Sequence, residues 1–478
     1  MTKSQSAMEY LMTYGWAILI VAVVLGALYS LGIFNGANFL GGTCVAAPGY
    51  LCSNPLLATD GTLSLTYGYQ GPNVTVVGFA CTNTTTAPSS FTSSGSSNLE
   101  PGQEESVSVS CPLPSGATIG TPYSGYLWVE YDQAGQSNLI ARFATVRSTA
   151  STSAVPQFSV IANVPVGANP YSATYDSGNG YTYVMHPGSD TVSVLSGTSV
   201  VNTVTVMNYP YYATYDSGNG YVYVPDYGSG AVSVISGTSV VNTVVVGLQP
   251  YYATYDSGNG YIYVTNHGSD TVSILSGTSV VNTIPVGTNP YYATYDSGNG
   301  YIYVTNYGSD TVSVLSGTSV VNTIPVGTNP FSVTYDSGNG YVYVSNEGSG
   351  TVSVISGTSI INTVTVGAYP FSITYDSGNG YIYVPNSGSD TVSVISGTSV
   401  VNTVTVGAYP FSITYDSGNG YIYVMDYVSS TVSVLSGTPV INTVTVGLGP
   451  YYATYDSGNG YVYVMNSGSD TVSVIRST

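Results

Sequence analysis

Residues 290–329 read PYYATYDSGNGYIYVTNYGSDTVSVLSGTSVVNTIPVGTN, and this unit recurs along the chain. It divides into four short runs with strand character, here called a (YYATYD), b (YIYVTN), c (DTVSVLSG) and d (SVVNTIPVG). The first turn, Asp-Ser-Gly-Asn-Gly, suits a tight hairpin because glycine tolerates positive φ. A proline opens every copy, 40 residues after the last, at Pro170, Pro210, Pro250, Pro290, Pro330, Pro370, Pro410 and Pro450. Four strands in about 40 residues is the period of a β-propeller blade.

The unit also resembles a known repeat family. Tyr303-Val304-Thr305-Asn306 and the trailing Val-Gly-x-x-Pro match the signature of the YVTN family of β-propeller repeats, which is found in archaeal surface-layer proteins. The resemblance covers roughly two thirds of the chain. It implies a propeller that is displayed outside an archaeal cell.

The count of strands predicts how the ring closes. The last unit has runs a, b and c but no d, while Val160–Val166 lies 40 residues ahead of the d run Val200–Val206. We therefore expect an eight-bladed propeller over residues 156–478, in which an N-terminal strand at 158–167 completes the last blade. A closed ring also leaves fewer free strand edges. The alternative is an open solenoid.

The copies differ mainly in the b–c and d–a connections, whereas the DSGNG turn is the same in all eight. In an up-and-down blade these two connections lie at the same end, so the variation is predicted to occupy one face of the disc. The candidate binding residues in the b–c connections are His186, Asp226, Tyr227, His267, Tyr307, Glu347, Asp426 and Tyr427. Those in the d–a connections are Asn208, Tyr209, Tyr369 and Tyr409.

The chemistry of this variable face favours a neutral ligand. Tyrosine and amide side chains around a shallow funnel suit contact with carbohydrate or protein through stacking and neutral hydrogen bonds. The aromatic residues that open each a run, such as Tyr251, Tyr291 and Phe331, are expected to border the funnel. The alternative is that these loops vary because nothing constrains them.

Catalytic and metal-binding motifs are not found in the sequence. It has only two histidines, His186 and His267, and no HExxH, GxSxG or P-loop pattern. Asp176 and its equivalents supply one carboxylate per turn, which suits a hairpin cap better than a calcium site. We therefore predict a protein that is not an enzyme and needs no metal or cofactor. The alternative is a catalytic propeller that acts on extracellular glycans.

The overall charge excludes one class of partner. The chain has 4 Lys and Arg against 23 Asp and Glu, a net charge of −19. Nucleic-acid binding needs clustered basic side chains that displace counterions from phosphates. No nucleic-acid partner is expected.

The N-terminus predicts a membrane anchor. No charged residue occurs from Tyr10 to Phe34, which is long enough for a helix that crosses a bilayer. Lys3 precedes the run and favours a cytoplasmic N-terminus. The segment Lys3-Ser4-Gln5-Ser6-Ala7-Met8-Glu9, followed by the apolar run, resembles the class III signal peptide of archaeal type IV pilins.

The pilin resemblance implies processing and assembly. A prepilin peptidase would cut between Ser4 and Gln5, which leaves Glu9 at the fifth position of the mature chain. In the family this carboxylate pairs with the N-terminal amine of a neighbouring subunit, and a Glu in an apolar helix does require a partner. The alternative is that Glu9 lies at the headgroups of a plain single-pass anchor.

The segment between anchor and repeats predicts a small disulfide-pinned β-sandwich. Alternating runs at 62–69, 73–81, 105–112, 124–132 and 138–146 indicate half-buried strands, and Thr82–Asn98 is expected to loop out. An even number of cysteines in an exported chain indicates two disulfides, and of the three pairings we favour Cys44–Cys52 and Cys81–Cys111. Asn73 and Asn83 begin possible glycosylation sequons.

The predicted organisation is therefore a leader at 1–4, a pilin-like helix at 5–40, a sandwich at 41–147, a linker at 148–155 and the propeller at 156–478. The predicted function is a cell-surface structural or adhesion protein, a type IV pilin-like subunit that displays a propeller for glycan or protein binding. Its partners would be the membrane, other copies in a filament, prepilin peptidase and an extracellular ligand. The alternative is a solitary membrane-anchored receptor or envelope protein.

Overall fold

A computed structural model of the chain describes residues 43–58, 61–99, 104–114, 121–133, 136–151 and 158–477. The chain divides into two compact units, 1–156 and 157–478. The predicted leader and pilin-like helix, with Ser4, Gln5 and Glu9, lie outside the described residues. Within the described ranges, no helix is long and apolar enough to span a membrane.

The first unit is built from eight strands: β1 (Thr43–Ala46), β2 (Tyr50–Ala58), β3 (Thr62–Tyr69), β4 (Val74–Thr82), β5 (Thr92–Leu99), β6 (Glu104–Ser110), β7 (Pro122–Gln133) and β8 (Gln136–Ser151). Their order is β5-β4-β7-β8-β2-β3-β6, and β1 also pairs with β8. The pairing of β2 with β8 is parallel and short, through Leu57↔Ala150 and Ala58↔Ser151. This short link joins two antiparallel groups of strands.

Both groups contribute to one core in the first unit. Leu63, Leu65 and Tyr67 alternate along β3 and are buried, as the period-two pattern predicts. The Tyr67 ring meets Phe79 of β4 edge to face, with 4.6 Å between ring centroids. It also lies 6.0 Å from Phe143 of β8. Rings from the two groups of strands therefore pack against one another.

Both predicted disulfides are confirmed. Cys44 pairs with Cys52, with 5.8 Å between Cα atoms, and closes a short loop between β1 and β2. Cys81 of β4 pairs with Cys111 just after β6, with 4.9 Å between Cα atoms. The second bond therefore ties together the ends of two strands from opposite groups.

Two predictions for this unit were wrong in part, because residues 83–91 do form a loop. The segment Thr82–Asn98 was expected to loop out, but β5 at Thr92–Leu99 pairs with β4. The linker was expected to begin at residue 148, but β8 continues to Ser151, with Ser148 opposite Tyr123. In both cases composition predicted a loop because Ser and Thr add little apolar burial, whereas pairing with a neighbouring strand satisfies their backbone groups.

The second unit contains eight four-stranded antiparallel sheets, one for each repeat. The strands of the first four blades are β10 (Ser172–Asp176), β11 (Tyr181–His186), β12 (Thr191–Ser196) and β13 (Ser199–Thr205); β14 (Thr214–Asp216), β15 (Tyr221–Asp226), β16 (Ala231–Ser236) and β17 (Ser239–Val245); β18 (Pro250–Asp256), β19 (Tyr261–Asn266), β20 (Thr271–Ser276) and β21 (Ser279–Pro285); β22 (Pro290–Asp296), β23 (Tyr301–Asn306), β24 (Thr311–Ser316) and β25 (Ser319–Pro325).

The strands of the last four blades follow the same order, except that the final strand comes from the start of the unit. They are β26 (Pro330–Asp336), β27 (Tyr341–Asn346), β28 (Thr351–Ser356) and β29 (Ser359–Thr365); β30 (Thr374–Asp376), β31 (Tyr381–Asn386), β32 (Thr391–Ser396) and β33 (Ser399–Thr405); β34 (Pro410–Asp416), β35 (Tyr421–Asp426), β36 (Thr431–Leu435) and β37 (Val440–Thr445); β38 (Pro450–Asp456), β39 (Tyr461–Asn466), β40 (Thr471–Ser477) and β9 (Phe158–Pro165).

The blades form a closed ring. The N-terminal strand β9 pairs antiparallel with β40, with Val164 opposite Val472. The first strand of blade 8, β38, contacts the first strand of blade 1, β10, just as neighbouring blades contact each other elsewhere. The predicted β-propeller with four-stranded blades is therefore confirmed.

Burial follows the position of each strand in the blade. In the b strand of blade 4, Ile302 to Asn306 are all buried because other blades pack on both of its faces. The d strand Ser319–Pro325 lies at the outer edge and buries Ile324 alone. The Tyr303 ring is fully buried, and its hydroxyl donates to the Gly357 carbonyl of the next blade at 2.8 Å.

Candidate functional site

The two faces of the propeller differ in what the repeats place there. The a–b and c–d turns lie on the face that we call the lower face. The b–c and d–a connections lie on the opposite, upper face, where Pro290 pairs with Asn306 at the start of the a strand. Sequence variation among the repeats is concentrated on the upper face.

The invariant lower turn is held by its own hydrogen bonds. Asp256 Oδ1 accepts from the Gly258 and Asn259 amides at 2.8 and 3.3 Å. The Asn259 amide side chain donates to the Tyr263 hydroxyl at 3.0 Å. A Cβ on Gly258 would lie 2.5 Å from the Tyr295 hydroxyl of the next blade. The turn is therefore a structural unit, and no group of three His, Cys, Asp or Glu suited to a metal occurs among the described residues.

A closed ring of eight aromatic side chains surrounds the propeller axis at the upper face. Each repeat contributes the aromatic residue that follows its first proline, and neighbouring ring centroids are 4.3 to 5.7 Å apart. We call this set the inner ring: Tyr171, Tyr211, Tyr251, Tyr291, Phe331, Phe371, Phe411 and Tyr451. Three consecutive blades supply phenylalanine and five supply tyrosine, so the inner ring has an apolar side and a hydroxyl-bearing side.

Tyrosine hydroxyls form hydrogen bonds between neighbouring blades and between blades two apart. The Tyr171 hydroxyl lies 2.8 Å from that of Tyr451 and 3.2 Å from that of Tyr251, two blades away. One residue further along the a strands, Tyr292 donates to the hydroxyl of Tyr212. Burial raises the pKa of Tyr171 and of Tyr251, so these hydroxyls stay neutral. The rings therefore pack closely against one another, and together they form what we call the aromatic floor of the upper face.

Three predicted binding residues stand out from this floor. Tyr209, Tyr369 and Tyr409 are 51%, 56% and 39% exposed. Each has a left-handed backbone, with φ of 58°, 53° and 56°. The equivalent position in other blades holds Asn, Gly or Gln, at Asn169, Gln249, Asn289, Asn329 and Gly449. A bulky residue in this conformation is strained, and an exposed one gains no core burial in return.

Neighbouring loop residues add apolar surface around these tyrosines. Leu248 and Leu448, which occupy the d–a connections, are 65% and 61% exposed. Met207 and Val428 are also exposed, as is the predicted residue Asn208. Sequence reasoning missed the four apolar residues, although each replaces the Gly, Thr or Ala found at the same position of other repeats. Exposed apolar groups with polar surroundings are typical of binding surfaces.

Tyr227 and Tyr427 connect the loops to the inner ring. Tyr227 is half-buried, with ring centroids 5.5 Å from Tyr211 and 6.2 Å from Tyr251. Tyr427 takes the same place in blade 7 and lies 6.1 Å from Tyr451. Each loop tyrosine therefore extends the aromatic floor outwards.

Three other predicted binding residues are buried inside their blades, and this corrects their assignment. His186, Asp226 and Asp426 end b strands and have no exposed surface. Five other blades carry Asn there, as where Asn266 donates to Ser273 of the c strand at 2.9 Å. Asp226 instead accepts from the Ser233 hydroxyl at 2.7 Å. The b strand is buried on both faces, so a variable residue at its end points into the blade rather than at a ligand.

Burial also changes the ionisation of these three side chains. It raises the pKa of Asp226 to about 7 and that of Asp426 to about 6, against the hydrogen bonds from Ser233 and Ser433. It lowers the pKa of His186 to about 4. All three groups are therefore neutral, or partly so, at mildly acidic pH.

The remaining predicted residues, His267, Tyr307 and Glu347, occupy three consecutive blades and are half-buried. The Tyr307 hydroxyl donates to Glu347 Oε2 at 3.0 Å. His267 and Tyr307 flank the inner-ring residue Tyr291, with centroids at 5.0 and 5.2 Å. We call His267, Tyr291, Tyr307 and Glu347 the polar sector. In the first unit, the sequon residues Asn73 and Asn83 are both exposed.

No protein-family model matches the chain, and no curated protein sequence matches it. Among solved structures it is similar to the dihydro-heme d1 dehydrogenase NirN in complex with DHE, with a TM-score of 0.53 and 12% identity over 66% of this chain and 76% of that one. It is also similar to a streptogramin B lyase, with a TM-score of 0.48 and 12% identity over 68% of this chain and 98% of that one. A third similar structure is Kuenenia stuttgartiensis hydrazine synthase, with a TM-score of 0.47 and 15% identity over 64% of this chain and 95% of that one. At these identities the likeness concerns the fold alone, and the chain is a β-propeller-type protein.

Proposed function

We propose that this chain is a cell-surface binding protein whose upper propeller face takes a neutral or cationic extracellular ligand. One observation carries the proposal: three blades keep an exposed tyrosine in a left-handed conformation where other blades hold Asn, Gly or Gln. A strained backbone that no burial of the side chain offsets suggests that these tyrosines are kept for a role other than folding. Tyrosine offers a rigid aromatic face and a hydroxyl, which suit stacking and hydrogen bonding to a ligand.

The charge distribution narrows the ligand class. Between residues 158 and 478 the sequence has one cationic side chain, Arg476, which pairs opposite Tyr461 at the lower end of blade 8. The upper face has several aspartates, such as Asp270 and Asp310, which accept from the backbone of the next d–a loop. An anionic glycan or phosphate would therefore meet no cation there, and we do not expect it to bind.

We further propose that the protein binds its ligand without chemical conversion. His186, Asp226 and Asp426, which sequence reasoning placed at the ligand, are enclosed within blades. Of the histidines and carboxylates that were predicted to contact a ligand, His267 and Glu347 of the polar sector are left to exchange protons with a bound molecule. A catalytic propeller would depend on Glu347, so turnover of a glycan that is lost in Glu347→Gln would support that alternative.

The anchoring role rests on the sequence. We propose that the N-terminal segment, which resembles type IV pilins, holds the protein at the cell membrane with the propeller outside, after cleavage between Ser4 and Gln5. Electron microscopy of native cells with an antibody against the propeller tests this. Label in rows along filaments would support pilin-type assembly, with Glu9 paired to a neighbouring subunit. Scattered label would favour a solitary anchored receptor.

The binding proposal is tested with a variant that the chain itself suggests. Tyr209→Asn, Tyr369→Asn and Tyr409→Asn together give three blades the residue that Asn169, Asn289 and Asn329 supply elsewhere. The full-length protein in lipid nanodiscs is applied to an array of neutral and cationic glycans. We expect binding to weaken at least about tenfold, because aromatic anchors dominate such contacts. Unchanged binding by a folded variant would sink the proposal.

A further inference from the structure

Glu347 is the exception among the b–c connections. The equivalent residues are Pro187, Tyr227, His267, Tyr307, Ser387, Tyr427 and Ser467, none of which has a carboxyl group. Glu347 alone places a carboxylate there. Its amide donates to the Asn329 carbonyl at 2.9 Å, as the backbone does in other blades, so the loop follows the ordinary path. The difference is confined to the side chain.

The Glu347 carboxylate is half-buried with little compensation. It accepts a hydrogen bond from the Tyr307 hydroxyl at 3.0 Å, which engages Oε2. Burial raises the pKa of Glu347 despite that bond. Removing a carboxylate from water is costly unless an opposite charge lies close to it. The one cation of the propeller sequence, Arg476, lies at the lower end of blade 8 and does not serve this role.

The tyrosine that bonds to this carboxylate belongs to a row of packed aromatic rings. Tyr307, which bonds to Glu347, lies 5.2 Å from Tyr291 between ring centroids. Tyr291 in turn lies 5.4 Å from Phe331, which opens the a strand of the Glu347 blade. Aromatic faces carry partial negative charge and attract cations, most strongly where water is excluded. A carboxylate beside such faces has the chemistry of an ammonium-binding site.

The polar sector also offers a hydrogen-bond acceptor or donor. His267 Nδ1 is buried and has no hydrogen-bond partner among the described residues. Burial lowers the pKa of His267, so the ring is neutral. Nδ1 itself is enclosed, so a ligand that stacks on Tyr291 would place a hydroxyl group against the accessible part of this half-buried imidazole. A lysine side chain could supply the ammonium group, but it has no hydroxyl to offer.

We propose that the polar sector, formed by His267, Tyr291, Tyr307 and Glu347, binds an amino sugar. The Glu347 carboxylate receives its ammonium group, and Tyr291 stacks on the sugar ring. The ligand of the upper face is then a glycan with free amino groups. This inference rests on the binding role proposed above and specifies the class of ligand.

Three hexasaccharides with the same linkage test the inference, because they differ at one carbon of each sugar. The glucosamine oligomer carries an ammonium group there, the N-acetylglucosamine oligomer a neutral amide, and cellohexaose a hydroxyl. Titration calorimetry uses the full chain in nanodiscs at near-neutral pH. We expect the glucosamine oligomer to bind about tenfold more tightly than either neutral oligomer, as one desolvated charge pair supplies. In Glu347→Gln this preference disappears, because the ammonium group then meets a neutral amide.

A matched control separates a local site from general attraction to an acidic protein. Glu130→Gln, in the first unit, changes the net charge by the same amount and should leave the preference intact. Glu347→Ser copies the residue found at positions 387 and 467 and should behave like Glu347→Gln. Equal loss of preference in Glu130→Gln and Glu347→Gln would overturn the inference. Tighter binding of a lysine-rich peptide than of the glucosamine oligomer would do so as well.

The failure of this inference can be told apart from that of the binding proposal. If the wild-type protein binds all three oligomers alike, and the Tyr209, Tyr369 and Tyr409 to Asn variant loses that binding, the amino-sugar site is wrong and the binding face stands. If no glycan binds, and the same triple variant attaches to native cell surfaces as well as the wild type does, both proposals fail.

Discussion

The hydroxyl of Tyr463 donates a hydrogen bond to the carbonyl oxygen of Gly197, which lies 266 residues earlier in the chain, at 2.9 Å. The same contact links six of the other seven blades to a glycine 54 residues further on, as from Tyr303 to Gly357 at 2.8 Å. In blade 7 the position 54 residues after Tyr423 is Ser477. The Tyr463 bond thus joins blade 8 to blade 1 with the geometry that holds the rest of the ring. Closure is therefore made both by side chains and by the strand pair β9–β40.

Replacement of the buried b-strand tyrosine should destabilise the propeller to a similar extent at Tyr303, inside the ring, and at Tyr463, where the ring closes. Tyr303→Phe and Tyr463→Phe each remove the hydrogen bond to a glycine carbonyl and the one from an asparagine amide. Asn459 keeps its bond to Asp456, so the lost glycine contact is the main term that the two variants share. We expect each variant to lower the free energy of unfolding by about 1 to 3 kcal/mol, as measured by urea denaturation. A neutral Tyr463→Phe beside a costly Tyr303→Phe would show that the closing contact is weaker than the internal ones.

Replacement of the exposed tyrosines, unlike that of the buried ones, should not lower the stability of the propeller. Tyr369→Asn replaces a strained residue, with φ of 53°, by one that adopts the left-handed conformation readily. We expect the free energy of unfolding to stay the same or rise by up to about 1 kcal/mol. Thermal and urea denaturation provide the measurement, with Asn329→Tyr as the reverse substitution. A clear loss of stability in Tyr369→Asn would mean that the tyrosine is kept for folding.

The blades and the disulfide pairing could be predicted from the sequence because both follow from spacing. A 40-residue period with four strand-like runs restricts the architecture strongly, and Cys81 and Cys111 flank predicted strands. The strand at Thr92–Leu99 could not be predicted, because its Ser-rich residues carry no hydrophobic pattern and its pairing with β4 is a tertiary contact.

The binding face was predicted less well, for a geometric reason. Variation between repeats locates a region but does not tell which way a side chain points. Asp226 and Tyr227 are adjacent and equally variable, yet the first is enclosed in the blade and the second joins the aromatic floor. Tyr209 and Asn289 share a left-handed backbone position. The tyrosine itself gives no sign of this conformation, but the Asn and Gly at equivalent positions of other repeats do.

Asp226 should make the propeller less stable as pH rises. Its pKa is raised by burial to about 7 in the folded protein, above the ordinary value of 3.8. Between these values the folded state holds a proton that the unfolded state releases, so stability is greatest below the lower pKa and falls until pH passes the upper one. Asp226→Asn, the residue of five other blades, should remove this slope and raise stability at neutral pH by roughly 2 to 4 kcal/mol. Urea midpoints from mildly acidic to neutral pH provide the test, and an unchanged slope would contradict it.

His186 should act in the opposite direction. Burial lowers its pKa to about 4 from 6.5, so between these values the unfolded state binds a proton that the folded state does not. The stability contributed by neutral His186 is present above the upper value and is lost as pH falls towards the lower one. His186→Asn should therefore protect the propeller against acid, by roughly 1 to 3 kcal/mol near the lower pKa. The same titration of urea midpoints measures it, and a variant as sensitive to acid as the wild type would refute the assignment.

The Cys81–Cys111 bond should stabilise the first unit without affecting the propeller. Its partners are 30 residues apart, and closing such a loop in the unfolded chain is worth about 3 to 4 kcal/mol in the chain-entropy model. Cys44–Cys52 spans only 8 residues and should contribute about 1 kcal/mol less.

Two spectroscopic probes separate the two units. Trp128 donates to Thr82 beside Cys81, so its fluorescence reports on the first unit. Near-ultraviolet circular dichroism of the many tyrosines follows the propeller. With both cysteines of a pair changed to alanine, we expect the fluorescence transition to shift to lower urea, further for Cys81 and Cys111 than for Cys44 and Cys52. The tyrosine transition should stay in place because the two units have separate cores. A matching shift of the tyrosine signal would instead show that the two units unfold together.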